Sequence, residues 1–134
     1  MTTRLKITLS ILTLIVISFL SFKVFGKNSD VSKFVNSNKI ENIKPEMSYQ
    51  KVVSILGKPI NVKHSGKLTV LEYSRPVEFC KNYPMLWVNL NGKMNVDHIY
   101  AKRYLCFGAD DECIYYLNRK SKFVDRERFD YYFN

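Results

Sequence analysis

The sequence predicts a small α+β domain that follows an apolar N-terminal segment. Three observations predict it: the uncharged run Ile7–Phe22, helix signals over residues 48–57, and strand-like runs between residues 66 and 107. The 134 residues are 46% hydrophobic with 5 Gly and 4 Pro, which suits one folded domain and excludes a disordered chain. We expect four regions in order: a membrane anchor or signal segment (1–26), a polar spacer (27–39), the α+β domain (40–107) and a C-terminal extension (108–134).

The N-terminal segment has a basic start, Arg4 and Lys6, before its apolar run. This order is typical of secretory signals and of single membrane anchors. A spanning helix needs at least about 17 apolar residues, which the run reaches only over residues 7–25, with Lys23 extending toward the head groups. We expect an uncleaved transmembrane helix in the inner membrane, or release into the periplasm if cleavage follows Gly26. No Cys follows the run, which excludes a lipoprotein signal, and in either case the remainder is exported.

The chain is basic, with 21 Lys and Arg against 12 Asp and Glu and a formal net charge of +9. The positive charges are scattered instead of forming a block. Nucleic-acid binding suits an exported chain poorly, whereas attraction to anionic lipid head groups fits better. A solvated basic surface without a partner is the commonest explanation of such a charge.

Residues 43–59, IKPEMSYQKVVSILGKP, specify a short helix with both ends defined. Ser48 is a suitable N-cap, Gly57 suits the residue after the helix, and Pro59 prevents continuation. Apolar residues spaced i, i+3, i+4 and i+7 give it one apolar face: Tyr49, Val52, Val53 and Leu56. A helix of about ten residues is marginal alone, so it must pack against another element.

A sheet supplies that element. Residues 66–79 are rich in β-branched and aromatic residues, and residues 85–107 are typical of two strands joined at Asn91-Gly92. A two-residue turn would place Leu86, Val88 and Leu90 on the face of polar residues. We expect instead a three-residue loop, with Gly92 left-handed and a bulge, that opposes Val88 to Met94 and Leu86 to Val96.

The pattern weakens after Phe107. Residues 112–117 could form a fourth short strand, and residues 121–134 could form a terminal helix. In that helix Phe129, Tyr132 and Phe133 would face the core, which is a commoner role for aromatic residues than ligand binding.

The sequence contains few residues that could form a catalytic or metal-binding site. Cys106 and Cys113 flank a short loop and are the expected disulfide, with Cys80 left over; three free thiols are the alternative. His64 and His98 are the only histidines, and no nucleophile or zinc motif surrounds them. We therefore predict no catalytic, metal-binding or cofactor-binding residue. For this chain to be an enzyme, residues that are distant in the sequence would have to meet in space.

Residues 33–100 resemble the BamE (SmpA/OmlA) family of bacterial envelope proteins. The family has an apolar residue, a spacer, Gly-Met, a Ser/Thr cap and a short helix ending Leu-Gly-x-Pro; the matching positions are Ile43, Met47, Ser48, Val52, Leu56, Gly57 and Pro59. The resemblance implies two short helices packed on a three-stranded antiparallel sheet. It also implies a membrane-tethered, non-enzymatic accessory protein that binds other proteins, typically in outer-membrane β-barrel assembly.

This chain departs from the family in two places. Glu46 stands where the family has Gly, so the turn before Met47 must be made differently. The lipid-attachment Cys is missing, and the Cys-bearing extension lies outside the family pattern.

The resemblance also implies partner-binding residues. In the family, the segment before the first helix contacts partners and lipid, and the matching positions are Phe34, Val35, Asn36 and Asn38. The alternative is that Phe34 packs on its own sheet.

Three functions follow from the sequence. The first is an envelope accessory protein, and the second is an inhibitor or immunity-type protein that blocks an enzyme with its sheet. A large exposed aromatic patch on the sheet, away from the helices, would favour the second. The third is an enzyme, which would need His64 or His98 beside a carboxylate in a pocket.

Overall fold

The computed structural model describes residues 3–26, 35–74, 83–104 and 112–134. Four α-helices lie within these ranges: α1 Thr3–Gly26, α2 Ser37–Glu41, α3 Tyr49–Leu56 and α4 Arg126–Phe133. Six β-strands accompany them: β1 Asn61–Ser65, β2 Leu68–Glu72, β3 Tyr83–Leu90, β4 Val96–Tyr104, β5 Glu112–Asn118 and β6 Lys122–Val124. The strands form one antiparallel sheet in the order of the sequence.

The prediction of two helices on a three-stranded sheet is therefore wrong, although helices do pack on an antiparallel sheet. The chain turns at Gly66, φ 60°, so that an unpredicted strand, β1, forms a hairpin with β2, which lies in the predicted run 66–79. The segment predicted as an extension adds β5, β6 and α4 to the same sheet and core. Helices α2, α3 and α4 cover one face of the sheet, where their apolar residues join those of β2 to β5 in one buried cluster.

The sequence predicts an N-terminal transmembrane helix, and the structure shows none among the described residues. Helix α1 forms, but no helix among the described residues is both long and apolar enough to cross a membrane.

The predicted helix in residues 43–59 is confirmed as α3. The Ser48 side chain accepts a hydrogen bond from the Lys51 amide, and Gly57 takes φ 88° directly after the helix. Val52 and Leu56 are fully buried. The partly buried residues of α3 that pack on the core are Tyr49 and Ile55, so the apolar face is rotated slightly from the predicted one.

The turn before α3 is made by Glu46 itself, in a left-handed conformation with φ 72°. Its amide donates to the carbonyl of Val96, and the amide of Val96 donates to the carbonyl of Met47. These bonds fix the segment against the start of β4. Glu46 thus adopts a conformation that a glycine would adopt without strain.

The loop that joins β3 and β4 is longer than the predicted three-residue loop. Leu90 pairs with Val96, and the register then shifts so that Val88 pairs with Ile99 and Leu86 with Ala101. Met94, φ 59°, takes the left-handed conformation that was expected of Gly92. The predicted pairs Val88–Met94 and Leu86–Val96 are wrong, but the bulge and the apolar-to-apolar matching are present.

The C-terminal residues are integral to the fold. Phe129 and Phe133 of α4 are buried, and Phe129 stacks on Tyr115 of β5 with ring centroids 4.9 Å apart. Arg126 of α4 donates to the Glu41 carboxylate of α2 at 2.8 Å. The two ends of the folded domain are therefore held together.

Candidate functional site: the open face of the sheet

The sheet has one face without a described helix on it, which we call the open face. Successive side chains of a strand point to opposite faces, so the residues that alternate with the core define it. The strand register places Asn61, Glu72, Trp87, Tyr100, Tyr116 and Phe123 in one row across all six strands. The neighbouring row is Lys63, Val70, Asn89, His98 and Asn118.

Four rings of this face make successive ring contacts, and we call them the ring ladder: Trp87, Tyr100, His98 and Tyr116. The centroids of Trp87 and Tyr100 lie 4.7 Å apart with the ring planes 23° from parallel. His98 stacks on Tyr100 at 5.9 Å, and it meets Tyr116 at 6.1 Å. Phe123 continues the row at the edge of the sheet and is 50% exposed.

Trp87, Tyr100 and His98 pack the flat faces of their rings against one another. Strand side chains stand roughly perpendicular to the sheet, so closely stacked neighbours on adjacent strands present their edges to solvent. Lys102 also lies over the Tyr100 ring, with Nζ 6.0 Å from the centroid. At Trp87, Tyr100 and His98 the open face therefore offers mainly ring edges and polar tips.

A carboxylate lies at the Trp87 end of the ladder. Glu72 accepts hydrogen bonds from Lys63 Nζ at 2.8 Å and from Asn61 Nδ2 at 2.9 Å. Burial opposes ionisation of Glu72, but these bonds, with a smaller contribution from the Trp87 indole, hold the pKa of its carboxyl below the ordinary value. Glu72 is thus a satisfied, charged group at neutral pH.

Asn89 lies beside the ladder with an unsatisfied donor. It is 4% exposed, and its Nδ2 has no hydrogen-bond partner among the residues that the structure describes. A buried donor without an acceptor costs about 1–3 kcal/mol. The Asn89 amide therefore carries a free-energy cost within the fold.

His98 is held by its neighbour in the chain. Its Nδ1 lies 2.7 Å from Asp97 Oδ2, and the two side chains are 22% and 51% exposed. The pair sits on an open sheet surface, which differs from the enclosed site that the enzyme hypothesis requires. His64 lies on the exposed strand β1, with Nδ1 3.1 Å from the Thr69 hydroxyl.

The predicted partner-binding residues take mixed positions. Val35 is buried in the core, and the Asn36 side chain caps α2 by accepting from the Lys39 amide at 2.9 Å. Asn38 is exposed on α2, whereas Phe34 lies outside the described residues. Val35, Asn36 and Asn38 do not extend onto the open face.

The predicted disulfide stays a prediction. Cys113 lies at an exposed position, while Cys106 and Cys80 lie outside the described residues. Burial raises the pKa of the Cys113 thiol despite the nearby Lys102 charge. Among the described residues no group of three or more His, Cys, Asp and Glu could hold a metal ion.

The ring ladder was not predicted from the sequence, because its members become neighbours only through the register of three strands. One local signal was available. In Leu86-Trp87-Val88 and Ile99-Tyr100-Ala101 an aromatic residue stands between two core residues, which places an aromatic on the face opposite the core.

Comparisons of this chain with protein-family models, with curated proteins and with solved structures find no match.

Proposed function

We propose that this chain is a non-enzymatic binding protein whose open face docks on a folded protein partner. The ring ladder carries the proposal, because it concentrates aromatic side chains on the face of the sheet that α2, α3 and α4 leave uncovered. The cores of protein interfaces are enriched in Tyr, Trp, Phe and Met and depleted of charged residues. Trp and Tyr are also the commonest anchors of binding energy.

The orientation of the rings favours a protein over a sugar or a nucleic-acid base. Bases bind to aromatic platforms by stacking on exposed ring faces. In this ladder Trp87 and Tyr100 already stack on each other at 4.7 Å, and His98 occupies the next position. Ring edges and hydroxyl tips suit a protein surface, which supplies both apolar groups and hydrogen-bond acceptors.

The position of the ring ladder, on the face opposite the helices, bears on whether this chain blocks an enzyme or acts as an accessory protein. A large exposed aromatic patch opposite the helices is the arrangement expected of an inhibitor or immunity-type protein that blocks an enzyme. On this face Phe123 is exposed, and Trp87, Tyr100 and Tyr116 are half-buried. An accessory role in the bacterial cell envelope, including outer-membrane protein assembly, depends instead on the resemblance over residues 33–100. The open face therefore favours the blocking role between these two.

Export is part of the proposal and rests on the basic start and apolar run of residues 4–22. We expect the domain to reach the periplasm. N-terminal sequencing of the protein from source cells tests the processing: a chain that begins at Lys27 shows cleavage after Gly26. A reporter fusion that stays in the cytoplasm would contradict export.

The binding surface can be mapped by photo-crosslinking in source cells. A photoreactive phenylalanine analogue at position 123 lies on the open face, whereas the same analogue at position 131 lies on α4; the native residues are 50% and 40% exposed. We expect a protein adduct at position 123 and none at position 131. Equal adducts at both positions, or an adduct at 131 alone, would contradict docking on the open face.

An adduct alone does not establish specific binding, so the partner is then purified and its affinity measured. We expect Phe123→Ser to weaken binding by about tenfold or more, because truncating one anchor costs at least 1–2 kcal/mol. Tyr131→Ser on α4 is the matched control and should bind as wild type, with thermal unfolding of both variants unchanged. If the partner is an enzyme whose activity falls on binding, the role is inhibition. If it is an assembly component, the role is accessory.

A further inference from the structure

We propose that the outer edge of β1 binds an extended segment of another protein, which adds to the sheet as a further strand. β1 stands first in the order of the six strands, and its inner edge pairs with β2. Among the residues that the structure describes, no strand pairs with its outer edge. This surface is separate from the ring ladder, and the inference does not depend on docking by the open face.

The backbone groups at the outer edge belong to Val62 and His64. The Tyr73 amide donates to the Leu86 carbonyl of β3, and this direction alternates along a strand, so the even-numbered residues of β2 direct their backbone groups toward β1. The register pairs them with the odd-numbered residues of β1, which leaves Val62 and His64 facing outward. The Val62 amide agrees with this assignment, because it donates to the Asn61 side chain at 2.9 Å instead of to β2.

The outer edge of β1 lacks most of the features that protect edge strands. Such strands are commonly short, bulged, interrupted by Pro or covered by another element. The five residues of β1 pair with β2 without a shift in register, include no Pro and are all exposed. At the opposite edge of the sheet, β6 has only three residues and is followed closely by α4. β1 is therefore the edge that can accept a strand.

A second copy of this chain suits that edge poorly. Antiparallel pairing of two β1 strands centred on Lys63 would place two lysines directly opposite each other, which is destabilising. Pairing centred on Val62 would need the Val62 amide, which the Asn61 side chain occupies. Pairing centred on His64 would bring Val62 opposite Gly66, where the chain already turns with φ 60°. A strand from another protein avoids these three costs, because it can bond to both backbone groups of His64 and to the Val62 carbonyl.

The side chains of β1 define the sequence that the added strand should have. Residues directly opposite each other in an antiparallel pair contact on the same face of the sheet. Val62 is 43% exposed and favours an apolar residue opposite it. The Lys63 side chain is 61% exposed although it pairs with Glu72, and it favours an acidic residue. We therefore expect an extended segment with an acidic residue between two β-branched residues.

The probe is the end-blocked peptide Ser-Thr-Val-Glu-Val-Thr-Ser, titrated into the full chain while amide hydrogen exchange is followed by NMR. We expect exchange of the His64 amide to slow about tenfold or more at saturation, because a peptide carbonyl then accepts from it. The Lys63 amide faces β2 and is the internal control, which should not change. Unchanged exchange at His64 would overturn the inference. Protection of His64 before peptide is added would also overturn it, since a second copy or another part of this chain would then occupy the edge.

Methylation of the peptide amides separates backbone pairing from attraction between side chains. When the glutamate lies opposite Lys63, the amides of the two valines face β1 and the glutamate amide faces away. N-methylation of both valines should weaken binding by about tenfold or more, whereas N-methylation of the glutamate should change it by no more than about twofold. Equal affinities of the two methylated peptides would overturn strand addition.

His64→Pro tests the same edge from the side of the protein. Proline is tolerated in an edge strand where the N–H that it replaces faces solvent, so this change should remove the outward donor and keep the bonds to β2. His64→Ala is the matched control, because it also loses the 3.1 Å contact with the Thr69 hydroxyl but keeps the amide. We expect His64→Pro to weaken peptide binding by about tenfold or more and His64→Ala to bind as wild type.

Equal affinities of these two variants would contradict pairing at His64. Thermal unfolding checks that both variants fold, and if His64→Pro does not, the two methylated peptides decide between strand addition and side-chain attraction.

Discussion

Glu46 and Arg119 lie 73 residues apart in sequence, and the guanidinium Nε of Arg119 donates to the Glu46 carboxylate at 3.0 Å. The contact ties the turn before α3 to the turn between β5 and β6. It also occurs at a residue with φ 72°, a conformation that costs most L-residues about 1–2 kcal/mol. One residue thus combines a conformational cost with a long-range ion pair.

Glu46→Gly tests that cost. The ion pair joins exposed side chains, so its loss should cost no more than about 1 kcal/mol. Glu46→Ala loses the same ion pair but keeps a Cβ in the left-handed region. We expect the free energy of unfolding of Glu46→Gly to exceed that of Glu46→Ala by about 1 kcal/mol in urea denaturation. Equal stability of the two variants would contradict backbone strain at this position.

Phe129→Ala tests whether the C-terminal helix belongs to the core. The ring is fully buried and stacks on Tyr115, so its removal should lower the free energy of unfolding by about 3–5 kcal/mol. Tyr131→Ala, two residues away and 40% exposed with an edge contact to Tyr132, should change it by no more than about 1 kcal/mol. A small effect of Phe129→Ala would show that α4 is dispensable for folding.

Ionised Glu41 should stabilise the fold, so the free energy of unfolding should decrease at acidic pH. Hydrogen bonds from Arg126 exceed the opposing effect of burial and, with Lys122, hold the Glu41 pKa below its ordinary value of 4.5. A carboxyl with a lowered pKa stabilises the fold above its unfolded-state pKa, and that stability is lost as pH falls through the folded-state pKa. We expect Glu41→Gln to lose up to about 1 kcal/mol at pH 7.

The same variant should show a smaller loss of stability than wild type between pH 7 and pH 3, measured by urea unfolding at both values. Asp130→Asn removes the weaker 3.5 Å contact of Arg126 and should have less effect on the acid profile. An identical acid profile for Glu41→Gln and wild type would contradict the assignment.

The buried hydroxyl of Tyr115 should make the free energy of unfolding decrease at alkaline pH. Burial is the main cause that raises the pKa of its hydroxyl to about 12. Between pH 10 and pH 12 the unfolded chain loses this proton while the folded chain keeps it, so stability decreases as pH rises. We expect Tyr115→Phe to lose less stability than wild type over this range. Tyr131→Phe is the control, and an equal loss in all three proteins would contradict the prediction.

The features predicted correctly are local in sequence. Ser48 and Gly57 act on helix ends within a few residues of themselves, so the bounds of α3 could be predicted from a short window. Strand β1 was missed because all five of its residues are exposed and it therefore shows no apolar alternation. The three-residue strand β6 is too short to carry a pattern.

The open face could not be predicted because it depends on register. Trp87, Tyr100 and Tyr116 are spaced irregularly in sequence and meet only because β3, β4 and β5 pair in one alignment. A bulge in each pairing shifts that alignment by one residue. A one-residue error moves every side chain of a strand to the other face, so the site is more sensitive to register than the fold is.

The contact between the two ends of the folded domain has a consequence for chain connectivity. Ser37 of α2 donates a hydrogen bond from its hydroxyl to the side chain of Asn134, 97 residues later. A short linker could therefore join these ends, and a new opening at Gly66, an exposed hairpin turn with space around it, would leave strands β2 to β6 continuous. The fold is thus specified by the neighbours that each strand has in space, and a circularly permuted chain should recover the same sheet.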